Sequence, residues 1–308
     1  VSGKAAIYPV LCSGHTGSRL LVRLMMANGV FMGAQRSPVG EDEEVFGQML
    51  WQPSLQRTYT MHWKYPDDPR NREALHIILL QAHNKFLAGA RALPAPPAAF
   101  GFKDATLFPY VAAEYRELME QDGVRTRFIH LVRHPLHWML SGRDPKSRGI
   151  QRPSRHPNFS RLSDPFIRLV WFDSLAGQAQ WKNRSVNLSD CETYSEEEQV
   201  MIEAMMWRTT NQFSAALADK PEDYLLVTYE DLILDTLNSL ARIGQFIGIP
   251  LSPSESVRVN QDRLAQDPRD KLSAESVETT MGICGDLMRQ LGIPEEPPLA
   301  ISKTVEVG

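Results

Sequence analysis

Apolar residues recur at helical spacing over residues 19–28, where Leu20, Leu21, Leu24 and Met25 line one side and Gly29 stands as a stop. Just upstream, Val10-Leu11-Cys12 reads as the end of a short buried strand, although Pro9 is awkward inside one. The turn between them, Ser13-Gly14-His15-Thr16-Gly17-Ser18, completes a strand, a tight loop and a helix. Residues 73–93 read as a helix ended by the breaker run Pro94-Ala95-Pro96-Pro97. Residues 109–121 read as another, with Pro109 suited to the first helical position. Phe128-Ile129-His130-Leu131-Val132 is the clearest strand, and it runs through Arg133-His134-Pro135 into a short helix. Ser195 and Glu198 form a capping box before a long helix reaching about Ala218. A strand over 224–228, a helix over 230–247 and a last helix over 273–291, closed by Gly292, complete the series. Strands alternating with helices predict an α/β fold: a mostly parallel sheet covered on both faces, with ligands at the carboxyl ends of the strands.

Residues 142–194 break this rhythm, being rich in Arg, Pro, Ser and Asn with little periodicity. They read as a long insertion over the site, so that residues 1–308 are expected to form a single domain. Composition adds little to the picture: 43% hydrophobic residues suffice for a core, and 23% charged is ordinary. The net charge of −4 argues against a dedicated nucleic-acid binder. Locally the balance reverses, because residues 142–161 carry six basic side chains against one acid, Asp144. An anionic acceptor such as an acidic glycan is one reading of that stretch, and a solvated basic loop is the other. No apolar run approaches the length of a membrane span, and no signal-peptide pattern opens the chain. The three cysteines, Cys12, Cys191 and Cys284, are scattered and form no metal or disulfide framework. A reducing, cytoplasmic compartment is therefore expected, with a secretory lumen left open should a leader have been trimmed.

Three places carry candidate chemistry. The first turn can cradle an anion: backbone N–H groups converge from a glycine turn and a helix N-terminus, and Ser18 or Arg19 can add contacts. Two glycines in such a turn also have a purely steric reading. The turn fails the nucleoside-triphosphatase pattern, since Ser18 follows Gly17 with no lysine between. Second, Arg133 ends a buried strand and Ser141 follows eight residues later, a spacing that lets guanidinium and hydroxyl grip one phosphate. The plain alternative is a surface ion pair and an ordinary helical serine. Third, Lys103 in Gly101-Phe102-Lys103-Asp104 follows an apolar step and precedes a helix, so it is placed to project into the same cleft or simply into solvent. No Asp ends the 128–132 strand, where a magnesium-dependent phosphoryl-transfer enzyme often has one, which favours a donor needing no metal.

Taken in order, these residues resemble the sulfotransferase family that uses 3′-phosphoadenosine 5′-phosphosulfate (PAPS). His15-Thr16-Gly17-Ser18-Arg19-Leu20 looks like the family's 5′-phosphosulfate loop, with His15 where Lys or Arg is usual. Lys103-Asp104 resembles its Lys-Asp/Thr-Pro step, with Ala105 where Pro is usual. Arg133 and Ser141 match its 3′-phosphate-binding pair. Tyr229-Glu230-Asp231-Leu232, Phe246-Ile247-Gly248-Ile249 and Ile283-Cys284-Gly285-Asp286-Leu287-Met288 are similar to further family markers. Gly40-Glu41-Asp42-Glu43-Glu44-Val45 resembles the step that supplies a catalytic glutamate in many members.

The resemblance implies a P-loop-like sulfotransferase fold and transfer of a sulfuryl group from PAPS to a hydroxyl of a small-molecule or carbohydrate acceptor, leaving 3′-phosphoadenosine 5′-phosphate (PAP). It implies Arg133 and Ser141 on the 3′-phosphate, and Gly14, His15, Thr16, Gly17, Ser18 and Arg19 around the 5′-phosphosulfate. Lys103 and His15 would stabilise charge at the reacting group, and Glu41 or Glu44 would be the base, with His62 and His134 as minor candidates. No metal is implied. Two other classes stay open on the residues alone: a P-loop kinase-like phosphotransferase, and a non-catalytic nucleotide- or glycan-binding relative.

Overall fold

The computed structural model of the chain describes residues 6–14, 16–33, 53–104, 108–143 and 196–300. His15, Glu41, Glu44, the capping Ser195 and nearly all of the expected insertion lie outside the described residues. Side-chain direction along the strands explains the layering. In β1 (Ala6–Leu11) Ile7 and Leu11 point to one face of the sheet, whereas Tyr8 and Val10 point to the other. In β5 (Phe128–Val132) Phe128 and Val132 take the first face, and Ile129 and Leu131 the second. A strand apolar on both sides must be covered on both sides. The first face is covered by α3 (Pro69–Arg91), α4 (Phe108–Gln121), α5 (Pro135–Arg143), α6 (Glu196–Ala215) and α9 (Ala274–Gln290). The second is covered by α1 (Ser18–Ala27), α7 (Tyr229–Leu234) and α8 (Thr236–Ile247).

Every pairing in the sheet is parallel, in the order β2 (Val30–Phe31), β3 (Ala99–Asp104), β1, β5, β6 (Tyr224–Thr228), with β4 (Arg125–Thr126) pairing β1 beside its start. The expected α/β class is thus the observed one. Pro9 sits in a central strand after all. It faces the step between β4 and β5, where the ladder along β1 passes from the Ile7–Thr126 pair to the Val10–Ile129 pair. Its missing N–H therefore falls where that ladder is already interrupted.

The helices differ from expectation in instructive ways. The helix expected from residue 73 begins at Pro69, because the Asp68 side chain caps it by accepting from the Arg70 N–H and proline takes the first turn. The expected 230–247 helix is two helices, α7 and α8, parted at Asp235, whose carboxylate caps α8 at the Asn238 N–H. A further helix, α2 (Pro53–Lys64), was not foreseen. No helix among the described residues is long and apolar enough to cross a membrane.

Candidate functional site

Three strands end side by side, and the candidate residues follow from their carboxyl ends. β1 leads into Cys12, Ser13 and Gly14. β3 closes on Lys103 and Asp104, with Lys103 registered opposite Val10. β5 leads directly into Arg133.

The turn after β1 is held from three directions. Within it, the Thr16 hydroxyl donates to the Ser13 carbonyl at 2.9 Å. From α5, the buried Trp138 indole N–H donates to the Gly14 carbonyl at 2.5 Å. From α7, the ring of Tyr229 lies so close to Gly17 that a Cβ there would overlap its Cε2 and Cδ2 atoms. Gly17 also has φ 79°, the left-handed region, and it caps α1 with no side-chain hydrogen bond. Gly17 thus offers no capping side chain of its own to the first-turn amides of α1, which lie at the positive end of the helix dipole. Ser18, in that first turn, is buried, whereas Arg19 is exposed.

Beneath the turn, Lys103 is only 3% exposed. Burial pushes the Cys12 thiol pKa up, and the charge of nearby Lys103 and hydrogen bonds from Ser18 and Thr16 oppose that rise. Lys103 and the turn are therefore neighbours. Asp104, whose charge also reaches Cys12, accepts from the Phe108 N–H at 3.3 Å at the start of α4.

Arg133 is buried, with its guanidinium carbon 4.4 Å from the centroid of the Tyr229 ring. Its carbonyl accepts from the Trp207 indole at 2.7 Å. The segment after it is fixed by the buried Glu230, one oxygen of which accepts from the His134 N–H at 3.1 Å and lies 2.9 Å from His137 Nδ1. Ser141 sits on α5, partly buried, its hydroxyl donating to the Trp138 carbonyl at 2.8 Å. Tyr229 thus touches both Gly17 and Arg133, and joins the turn after β1 to the arginine after β5.

Of the minor base candidates, His134 is committed elsewhere. Its Nδ1 accepts from the Leu136 N–H at 3.3 Å, and its Nε2 lies 3.3 Å from the Glu295 carbonyl. Burial lowers its pKa to about 4, with the Glu230 charge opposing. His62 pairs with Glu114 at 3.1 Å, joining α2 to α4. Among the described residues, no cluster of three or more His, Cys, Asp or Glu side chains could hold a metal ion.

The structure thus brings Gly14, Thr16, Gly17, Ser18, Lys103 and Arg133 to one edge of the sheet. Two buried cations and a helix N-terminus there form a place fit for a ligand carrying several negative charges. Sequence reasoning missed Trp138 and Trp207 and treated Tyr229 only as a marker. A buried tryptophan needs a partner for its N–H, which was the available signal.

A family model described as the sulfotransferase domain matches residues 154–287. That span takes in residues 154–194, read from sequence as an insertion, and does not reach the first turn, Lys103, Arg133 or Ser141. The fold is similar to that of sulfotransferase STF9 from Mycobacterium avium, with a TM-score of 0.50 and 12% identity over 96% of this chain and 79% of that one. The sulfotransferase domain from the curacin biosynthetic pathway gives a TM-score of 0.48 and 14% identity, covering 93% and 98%. A sulfotransferase from Alicyclobacillus acidocaldarius gives 0.45 and 10%, covering 93% and 96%. The first of these, at a TM-score of 0.50 and 12% identity, speaks to the fold alone. No curated protein matches the sequence significantly.

Proposed function

We propose that this chain, a sulfotransferase-family protein with the P-loop-like α/β fold, transfers a sulfuryl group from PAPS to a hydroxyl of a small-molecule or carbohydrate acceptor. The observation that carries the reading is the juxtaposition on Tyr229: one ring packs against the Gly17 turn and against the Arg133 guanidinium. A nucleotide with phosphates at both the 3′ and the 5′ position of its ribose matches two anion sites held apart by one ring.

When bound, PAPS supplies the activated sulfuryl group. The chain's own residues bind, orient and move a proton. Arg133 and Ser141 grip the 3′-phosphate, remote from the reacting bond. The amides at the start of α1, with Thr16, Ser18 and Arg19, hold the 5′ end beside Gly14 and Gly17. Lys103 and a protonated His15 stabilise the negative charge that builds on the leaving phosphate, and such preorganised charge supplies most of the catalysis in related phosphoryl transfer. Glu41 or Glu44 takes the acceptor's proton. No metal enters this reading. The basic stretch over residues 142–161 favours an anionic acceptor such as an acidic glycan. A reducing, cytoplasmic setting suits the buried free thiols of Cys12 and Cys284.

The test is incubation with radiolabelled PAPS and a library of hydroxyl compounds. Label should pass to at least one acceptor, and Arg133→Ala should sharply reduce the transfer. PAP binding with no transfer to any acceptor would mean a non-catalytic binder and overturn the reading.

A further inference from the structure

At the opposite end of the sheet from the Gly17 turn lies a cavity of about 470 Å³, within the range that holds small organic ligands. Ile7 and Phe100 line it near the starts of β1 and β3, and Val124 lines it just before β4. One wall is a single face of α3, where His83, Leu87 and Arg91 stand four residues apart. Most of the lining is apolar, which suits a mostly apolar ligand.

Two polar groups depart from that character. His83 is 5% exposed, and its Nδ1 is engaged with the Tyr115 hydroxyl at 2.7 Å, while Nε2 has no hydrogen bond among the described residues. Burial keeps this imidazole neutral, lowering its pKa to about 4, so it offers a hydrogen bond without a charge. At the other end Arg91 is the one charged residue of the lining, and its guanidinium has no ion pair among the described residues. Asp122, whose charge reaches His83, does not line the cavity. The two residues stand eight positions apart on α3, a backbone rise of about 12 Å, and the Arg91 charge reaches His83 and favours its neutral form.

We infer that this cavity is a second binding site, for an elongated, mostly apolar monoacid whose carboxylate pairs with Arg91 and whose far end carries a hydrogen-bonding group for His83. Charge complementarity selects the anion, since the lining holds a cation and no carboxylate. His83 selects the polar far end, because it lines the cavity and its Nε2, unlike its Nδ1, has no hydrogen bond among the described residues and is open to a ligand's hydroxyl. The inference stands apart from the donor reading and does not rest on it.

The full chain would be titrated by calorimetry with 10-hydroxydecanoate, decanoate and 1-decanol. One molecule of 10-hydroxydecanoate should bind per chain, more tightly than decanoate, with 1-decanol weakest. Arg91→Ala, an exposed substitution, should weaken both acids about three- to five-fold, the worth of an exposed ion pair, and leave 1-decanol unchanged. Leu87→Trp should fill the cavity and abolish binding of all three, with melting of the variant checking that it folds. Should it not fold, the Arg91→Ala comparison between acids and alcohol decides alone. Absence of saturable binding at millimolar acid would overturn the inference, as would acid affinities unchanged by Arg91→Ala. A dimer in sedimentation that Leu87→Trp dissociates would overturn it too, by showing that a second copy covers the face.

Discussion

Gly17→Ala puts the packing of the candidate site to a direct test. Two costs add. A non-glycine residue at φ 79° carries left-handed strain of roughly 1–2 kcal/mol. The new Cβ also overlaps two ring atoms of Tyr229 and sits 3.3 Å from a third, so the ring must move. Moving it disturbs the stacking on Arg133, worth about 0.5–2 kcal/mol, and the packing of a buried side chain, for which overfilling costs typically about 1–3 kcal/mol. Gly17→Ala should therefore destabilise the fold by about 2.5–7 kcal/mol. The strain belongs to the backbone and the clash belongs to Tyr229, so a double-mutant cycle separates them. In a Tyr229→Ala background, Gly17→Ala should cost only the strain, about 1–2 kcal/mol. Urea denaturation of the four proteins measures both legs. Equal costs in the two backgrounds would refute the claim that Tyr229 presses on the turn.

Other consequences follow from the same structure. Glu230→Ala strands the buried His134 N–H and His137 Nδ1, and should cost about 1–3 kcal/mol per unsatisfied group in urea denaturation, with no loss meaning that this carboxylate does not hold the segment after Arg133. His130 is held neutral between the Tyr224 hydroxyl and Asn211, and burial lowers its pKa to about 4, below its unfolded value near 6.5. The unfolded chain then binds the extra proton first, so this contribution is full above about 6.5 and is lost as pH falls towards 4. His130→Gln should flatten that acid limb, as read from melting temperature against pH. Glu41→Gln or Glu44→Gln should lower turnover about 100-fold or more with PAP affinity kept, and normal turnover in both variants would remove the carboxylate base. His15→Arg should flatten the pH dependence of PAP affinity, which for the wild type should weaken as pH rises through the bound-state pKa of His15. An unchanged curve shape would remove the cationic role of His15.

Much of the frame was legible because its signals are local. Phe128–Val132 and Tyr224–Thr228 read as strands to the residue, since short apolar runs bounded by turns admit little else. Arg133 at a strand end followed from the same reading, whereas the strand that carries Lys103, β3, was read only as an apolar step. The start of α3 was misjudged because its first turn, Pro69-Arg70-Asn71-Arg72, is polar, although the Asp68-Pro69 cap announced it. The break at Asp235 was hidden by apolar residues on either side of a capping aspartate. What joins the site together could not be read at all. Tyr229 against Gly17, Trp138 on the Gly14 carbonyl and Trp207 on the Arg133 carbonyl are contacts between distant segments. Propensity and periodicity describe neighbours along a chain, and these contacts depend on how the elements stack.

The central claim is that the carboxyl edge of this sheet recognises a nucleotide phosphorylated at both 3′ and 5′ positions. Calorimetry comparing PAP with adenosine 5′-phosphate, in the wild type and in Arg133→Ala, tests it most directly. PAP should bind the wild type more tightly by about 1.5–3 kcal/mol, the worth of hydrogen bonds to a charged group, and Arg133→Ala should erase that preference while sparing adenosine 5′-phosphate. Equal affinity of the wild type for the two nucleotides, or a preference that survives Arg133→Ala, would contradict the account.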